Sequence, residues 1–136
     1  MRLFSGKRPN DLGVAGGRLR PCPRKPNCIC SQDAGSLHGI EPLRFDGDPA
    51  AAWTALRAVI AGMERVCIVK DEAVYLYAEF TTRLLGYTDD AEFLLDTAAE
   101  AIQVRSASRL GNRDYGVNRE RIEAIRARFV AALRAG

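Results

Sequence analysis

Ala91-Glu-Phe-Leu-Leu-Asp96, then Thr97-Ala-Ala-Glu100, then Ala101-Ile-Gln-Val-Arg-Ser-Ala-Ser-Arg109 is the stretch that decides the fold. Both flanking runs carry the two-residue period of a strand with one buried face, and four residues between them suit a hairpin loop. If that loop sets the register, Phe93 falls opposite Val104 and Leu95 opposite Ile102 on one face, while Glu92 falls opposite Arg105 on the other. One face is then apolar. The other is charged, with Gln103 and Arg109 joining Glu92 and Arg105.

Moving toward the N-terminus, Arg65 to Lys70 and Ala73 to Phe80 read as a second hairpin around Asp71-Glu72, a turn without the preferred glycine. Before them, Asp48 and Pro49 supply an N-cap and a first-turn proline, and Trp53, Leu56, Val59, Ile60 and Met63 recur at helical spacing over 49–63. Toward the C-terminus, Ile122, Ile125, Phe129 and Leu133 mark a last helix starting near Asn118, the expected N-cap. The pattern predicts an α+β fold, a two-layer arrangement with a four-stranded antiparallel sheet and two helices on one face.

All six prolines fall within the first 49 residues, where a missing amide donor and a restricted φ disfavour regular structure. Residues 1–45 therefore read as a long extended N-terminal arm packed on the α+β domain of 46–136, one domain overall. Leu12, Val14, Leu19, Ile40, Leu43 and Phe45 are its expected anchors. At 136 residues the chain is long enough for one core of its own, and 47% apolar with 27% charged residues is ordinary globular composition, which excludes a disordered tail or a disulfide-dense miniature scaffold. No window approaches the roughly 18 apolar residues of a membrane span, and Met1 to Val14 lacks the apolar core of a signal peptide, so a cytoplasmic location is expected.

The formal charge of +3 conceals a partition: residues 1–35 carry +5, residues 36–104 carry −7 and residues 105–136 carry +5. The densest polar stretch, Arg105 to Arg121, joins the last strand to the last helix, where backbone N–H groups and a helix N-terminus favour an anion. Arg105, Arg109 and Arg119, with Ser106, Ser108, Asp114 and Asn118, form the candidate ligand-binding set, because guanidinium forks suit carboxylate or phosphate. The competing reading has the same arginines pairing with Asp89, Asp90, Glu92 and Asp114 to tie the loop down. Asp89, Asp90 and Glu92 form the candidate acidic partner edge. Adjacent Asp89 and Asp90 point to opposite faces if extended, so only Asp90 shares a face with Glu92.

Three of the four cysteines cluster as Cys22, Cys28 and Cys30. A disulfide between Cys22 and Cys28, closing a short proline-containing loop, and free partly buried thiols both remain open. Zinc held with His38 is chemically possible, but C-x₅-C-x-C-x₇-H is not a paired-knuckle spacing, and no metal or cofactor is expected. The lone histidine, beside Gly39, reads as an ordinary surface residue. Phosphate-loop, zinc-protease and nucleophile-elbow signatures are missing from the sequence, and Tyr75 and Tyr77 read as half-buried strand residues before a base-stacking surface.

Several separated blocks carry a resemblance: Arg8-Pro-Asn-Asp-Leu-Gly13, Gly17-Arg-Leu-Arg-Pro-Cys-Pro23, Pro26-Asn-Cys28, Ser31-Gln32, Asp89-Asp-Ala-Glu-Phe93 and Arg105-Ser-Ala-Ser-Arg109. The last continues through Gly111, Asp114, Gly116, Asn118-Arg119 and Arg121-Ile-Glu123. With them the chain resembles, from Arg8 to about Leu133, the uncharacterised family known as domain of unknown function 1499. The family's two cysteines map onto Cys22 and Cys28, with Cys30 standing where a serine is expected. The resemblance implies a domain boundary and no reaction. The expected function is a non-enzymatic binding or assembly module whose Arg-rich polar site takes a small anion or a protein partner. The alternative is a small hydrolase-like enzyme with Glu92 or Asp114 as base and Arg105 or Arg109 stabilising negative charge. Nucleic acid is not an expected partner, since the acidic centre interrupts a phosphate track.

Overall fold

The pairing of the two decisive runs is as their spacing predicts. In the computed structural model, which describes residues 6–84, 86–111 and 113–136, Phe93 is opposite Val104, Leu95 opposite Ile102 and Glu92 opposite Arg105. The first five residues of the arm lie outside the described residues. The elements run β1 (Val14–Ala15), β2 (Arg18–Leu19), β3 (Cys28–Cys30), β4 (Leu43–Arg44), α1 (Pro49–Ala61), β5 (Val66–Asp71), β6 (Tyr75–Thr81), β7 (Thr88–Asp96), β8 (Ala101–Ser108) and α2 (Val117–Ala135).

The main sheet is antiparallel in the order β3-β8-β7-β6-β5, with β4 also paired to β8. Among the described residues it therefore has six strands, where the sequence led us to expect four. The two additions are short pieces of the arm: Cys28 to Cys30 lies along Ala107 to Arg105, and Leu43-Arg44 along Ile102-Ala101, so they share one edge of β8. Runs of two and three residues are too short to display a period, and their pairing partners lie far along the chain. A separate hairpin, β1 with β2, turns through Gly16 and Gly17, both at positive φ, as a two-residue hairpin turn requires.

Both helices pack on one face of the sheet. Trp53, Leu56 and Ile60 of α1 and Ile122, Ile125 and Phe129 of α2 bury against Leu76, Phe80, Phe93, Ile102 and Val104. Asp48 caps α1 as expected, its carboxylate accepting the Ala50 N–H at 3.0 Å, and Gly62 ends the helix two residues earlier than the apolar spacing suggested. Asn118 is not the cap of α2. Gly116 holds that position, and the Asp114 carboxylate accepts the N–H groups of Gly116 and Asn118 at 2.9 and 3.2 Å. Asn118 is buried in the first turn, where its side chain serves the sheet instead.

The opposite face is covered by the arm. Leu19 packs with Cys30, Tyr75, Tyr77 and Leu94, flanked by Leu12 and Cys22. Of the expected anchors, Leu19, Leu43 and Phe45 are buried, and Leu12 and Ile40 are partly so. Val14 is exposed, because it sits in the projecting β1–β2 hairpin rather than on the sheet.

Candidate functional site

Strand alternation sorts the polar residues into two groups on opposite sides of the sheet. Tyr75, Tyr77 and Glu79 of β6, Asp90 and Glu92 of β7, and Arg105 of β8 face the arm, joined by Arg109 just past the strand end. Asp89, Ser106 and Ser108 face the helices, as does Asn118 from α2. The candidate ligand set from the sequence is thus divided: Arg105 and Arg109 lie on one side, and Ser106, Ser108, Asp114 and Asn118 on the other. Arg119 belongs to neither, lining a depression with Glu123 and Arg126 where α2 meets the 40–44 segment of the arm.

Beneath the arm the sheet register places Glu79 opposite Asp90, two like charges that would repel each other. Arg109 resolves this. Its Nη2 donates to Glu79 Oε2 at 2.5 Å and to Asp90 Oδ1 at 2.9 Å, while Nε donates to Asp90 Oδ2 at 2.9 Å. Arg8 reaches down from the arm to the same Glu79 oxygen through Nε and Nη2, at 3.0 and 2.7 Å. Tyr77 donates its hydroxyl to Asp90, and its oxygen accepts from Arg109 Nη2 at 3.3 Å.

Next to this cluster is a second, deeper pair. Arg105 is 1% exposed and Glu92 fully buried. Arg105 Nη1 donates to Glu92 Oε1 at 3.3 Å and Nη2 to Asp11 Oδ2 at 2.8 Å, with the Pro21 carbonyl at 3.5 Å, while its Nε lacks a partner among the described residues. Glu92 Oε2 accepts the Tyr75 hydroxyl at 2.5 Å and the Gly13 N–H at 2.7 Å. Every one of these contacts joins the arm to the sheet or one strand to the next.

The electrostatics follow from burial set against these partners. Burial pushes the Glu92 carboxyl above its ordinary range, despite the opposing pull of Tyr75, Gly13 and Arg105. Burial presses Glu79 the same way, but the hydrogen bonds of Arg8 and Arg109 and the charges behind them outweigh it and hold Glu79 low. Tyr75 and Tyr77 are both raised by burial and then by the carboxylates they donate to, so they remain donors. Arg109 is raised by its bonds to Asp90.

At one end of this layer lies a pocket of about 180 Å³, where Lys7 and Lys25 from the arm meet Arg105 and Arg109 from the sheet, with Asp11 and Asp90 as the acidic wall. Both lysines are exposed, unlike the arginines below them. Pro23 and Asn27 complete the side formed by the loop between Cys22 and Cys28, whose sulfurs are bonded to each other. That bond takes up two of the thiols the zinc alternative would need. Cys30 is buried with its thiol pushed up by burial. His38 is half-buried and holds the Cys28 carbonyl at 3.0 Å through Nδ1, which carries the proton there.

On the helix side, Asn118 Oδ1 accepts from Ser106 at 2.6 Å, and Nδ2 donates to Ser108 Oγ and Asp114 Oδ2 at 2.9 and 2.8 Å. Asp89, its carboxyl raised by burial, lies 2.8 Å from Arg121, which in turn covers the Phe80 ring at 4.9 Å. This group closes the joint between β8 and α2. A cavity of about 300 Å³ beside it is lined by Thr88, Asp89, Ser108, Asp114 and Tyr115. Among the described residues, no three His, Cys, Asp or Glu side chains are grouped so that they could hold a metal ion. None of the described helices is long and apolar enough to cross a membrane.

The sequence reading did not reach Lys7, Arg8, Asp11, Lys25, Tyr75, Tyr77 or Glu79 as site residues. The one local signal was Tyr75-x-Tyr77-x-Glu79, an unusual polar face on a strand, which becomes meaningful only when paired with Asp90 and Glu92. The family model described as "Protein of unknown function (DUF1499)" matches residues 18–129, a narrower span than the blocks suggested. Neither the curated proteins nor the solved structures yield a match.

Proposed function

The chain belongs to the DUF1499 family of proteins of unknown function, and we propose that it acts as a non-catalytic binding module for a small anion, a carboxylate or phosphate group. The observation that carries this reading is the convergence of Lys7, Lys25, Arg105 and Arg109 on one pocket of about 180 Å³, a volume suited to a single such group. The arginines are already engaged by carboxylates, so they form a fixed floor. The exposed lysines supply the net attraction, which makes binding weak and salt-sensitive.

The hydrolase alternative has less support. Glu92 is fully buried with both oxygens engaged, and Asp114 lies across the sheet from Arg105 and Arg109. Several arginines of the basic C-terminal segment are engaged internally, Arg105, Arg109, Arg121 and Arg126 among them, which favours internal pairing over a nucleic-acid track.

Titration of inorganic phosphate and of acetate into the labelled protein, followed by amide chemical shifts, tests the reading. Shifts are expected around residues 7, 25, 105 and 109, and the Lys7→Ala/Lys25→Ala double variant is expected to lose them while melting like the parent. Saturable shifts that persist unchanged in the double variant would place the anion elsewhere and overturn the proposal.

A further inference from the structure

One wall of the pocket belongs to a covalently closed loop. Cys22 and Cys28 are bonded, and between them Pro23, Lys25 and Asn27 all line the pocket. The two ends of that loop are held very differently. Cys28 is 1% exposed and lies on β3 opposite Ala107. Beside it, Asn27 donates to the Gly111 carbonyl at 2.8 Å, and its own carbonyl accepts from the Ser108 N–H at 2.9 Å. The Cys28 end therefore stays in the sheet whatever happens to the sulfurs. Cys22 is only partly buried, against Cys28's full burial, and lies outside any strand, with its N–H donating to Asp33 at 2.9 Å. The disulfide is the covalent tie that brings the Cys22 end, and Lys25 with it, against the sheet. Pro21, one residue before, places its carbonyl against Arg105.

We propose that the Cys22–Cys28 bond is a redox gate on this pocket: oxidised, it holds Lys25 over the anion site, and reduced, it releases residues 22–26 and weakens binding. The inference rests on the anion-binding reading above. The reductant is a dithiol. Its thiolate attacks the sulfur of Cys22, the less buried of the two cysteines, forming a mixed disulfide while the Cys28 sulfur leaves and takes up a proton. The second thiol of the reductant then displaces Cys22 as a thiol, so two electrons and two protons pass to the protein and the reductant ends as a disulfide. Cys30 stands two residues from Cys28 but takes no part, since it is fully buried and its thiol is held protonated by that burial. In a reducing cytoplasm, the location expected from the sequence, the gate stands open unless it is actively oxidised. In an oxidising compartment it stands closed.

The test compares phosphate titrations of the full chain, oxidised and after treatment with dithiothreitol, a neutral dithiol that does not compete for an anion site. Circular dichroism on both samples establishes that the fold persists. Reduction is expected to weaken phosphate binding about fivefold or more, within the usual range of coupling between two sites, and reoxidation to restore it. Lys25→Ala is expected to bind in its oxidised state as weakly as the reduced parent and to show no further redox dependence. Equal affinity in the two states refutes the gate while leaving the pocket reading intact. Loss of the fold on reduction also refutes it, making the bond a global staple. No binding to the oxidised parent removes the pocket reading and the gate with it.

Discussion

Replacing Arg105 by alanine would remove the one cation that, among the described residues, contacts the fully buried Glu92, which would retain the Tyr75 hydroxyl and the Gly13 N–H as donors. Breaking a buried pair from one side costs about 3–5 kcal/mol, because the remaining charge stays desolvated. Against a total stability of about 5–15 kcal/mol, that is a third or more of the margin for many domains of this size. The loss carries a pH signature. The Glu92 carboxyl is raised above its unfolded value by burial, so the folded state binds its proton more tightly. Its contribution is therefore most favourable at low pH and is lost as pH rises through the raised value. Removing the guanidinium raises that value further. The deficit of Arg105→Ala relative to the parent should consequently be smallest near about pH 5 and larger by about 1 kcal/mol or more near about pH 8. Urea unfolding followed through Trp53, the single tryptophan and a buried one, measures both. Glu92→Gln in the Arg105→Ala background should recover much of the loss and flatten the pH dependence. A deficit below about 1 kcal/mol at neutral pH, or one that neither changes with pH nor responds to Glu92→Gln, would refute the reasoning.

Arg109→Ala leaves Glu79 and Asp90 facing each other without their bridge and should cost about 2–4 kcal/mol. Because Glu79 is held low by Arg8 and Arg109, its stabilisation is lost as pH falls through that lowered value, and the variant should melt with a weaker acid dependence; an unchanged acid limb would contradict this. Asp114→Ala should destabilise by about 1 kcal/mol and speed amide exchange in the first turn of α2, leaving phosphate binding untouched because the pocket is across the sheet. A loss of phosphate binding in that variant would argue that the two sides are coupled. Reducing the Cys22–Cys28 bond, which closes a short loop, should lower stability by about 2 kcal/mol and shift the melting temperature down by several degrees without unfolding the chain; an unshifted melt would show that the bond contributes nothing to the folded state.

The β7–β8 hairpin was legible because both requirements were local: an alternating pattern and a four-residue loop that pins the register. From that register the Glu92–Arg105 opposition followed directly. The arm's strands were not legible, since Cys28–Cys30 and Leu43–Arg44 pair with a strand far along the chain and carry no period of their own. Asn118 misled for a related reason. Its residue type fits a cap, but Asp114 and a left-handed Gly116 take that role, freeing Asn118 to bind Ser106 and Ser108. The candidate site was half legible. Arg105, Arg109, Asp90 and Glu92 were readable as charged strand residues, but their contacts with Tyr75, Tyr77 and Glu79 require the β6–β7 register. The lysines and Arg8 come from an arm whose path no local pattern encodes.

The edge that β8 offers to β3 has a consequence for synthesis. Asn27 and Ser108, which meet across that edge, are 81 positions apart. At about 5–20 residues per second, the ribosome makes them roughly 4–16 s apart, whereas the β7–β8 hairpin closes in about 10 μs or less once both runs have emerged. The strand Cys28–Cys30 is thus made well before its partner β8, and it can take its place only once the sheet it joins exists. The two cysteines only six positions apart can meet during that interval, so an oxidising surrounding would close the loop before the pocket it lines has been built.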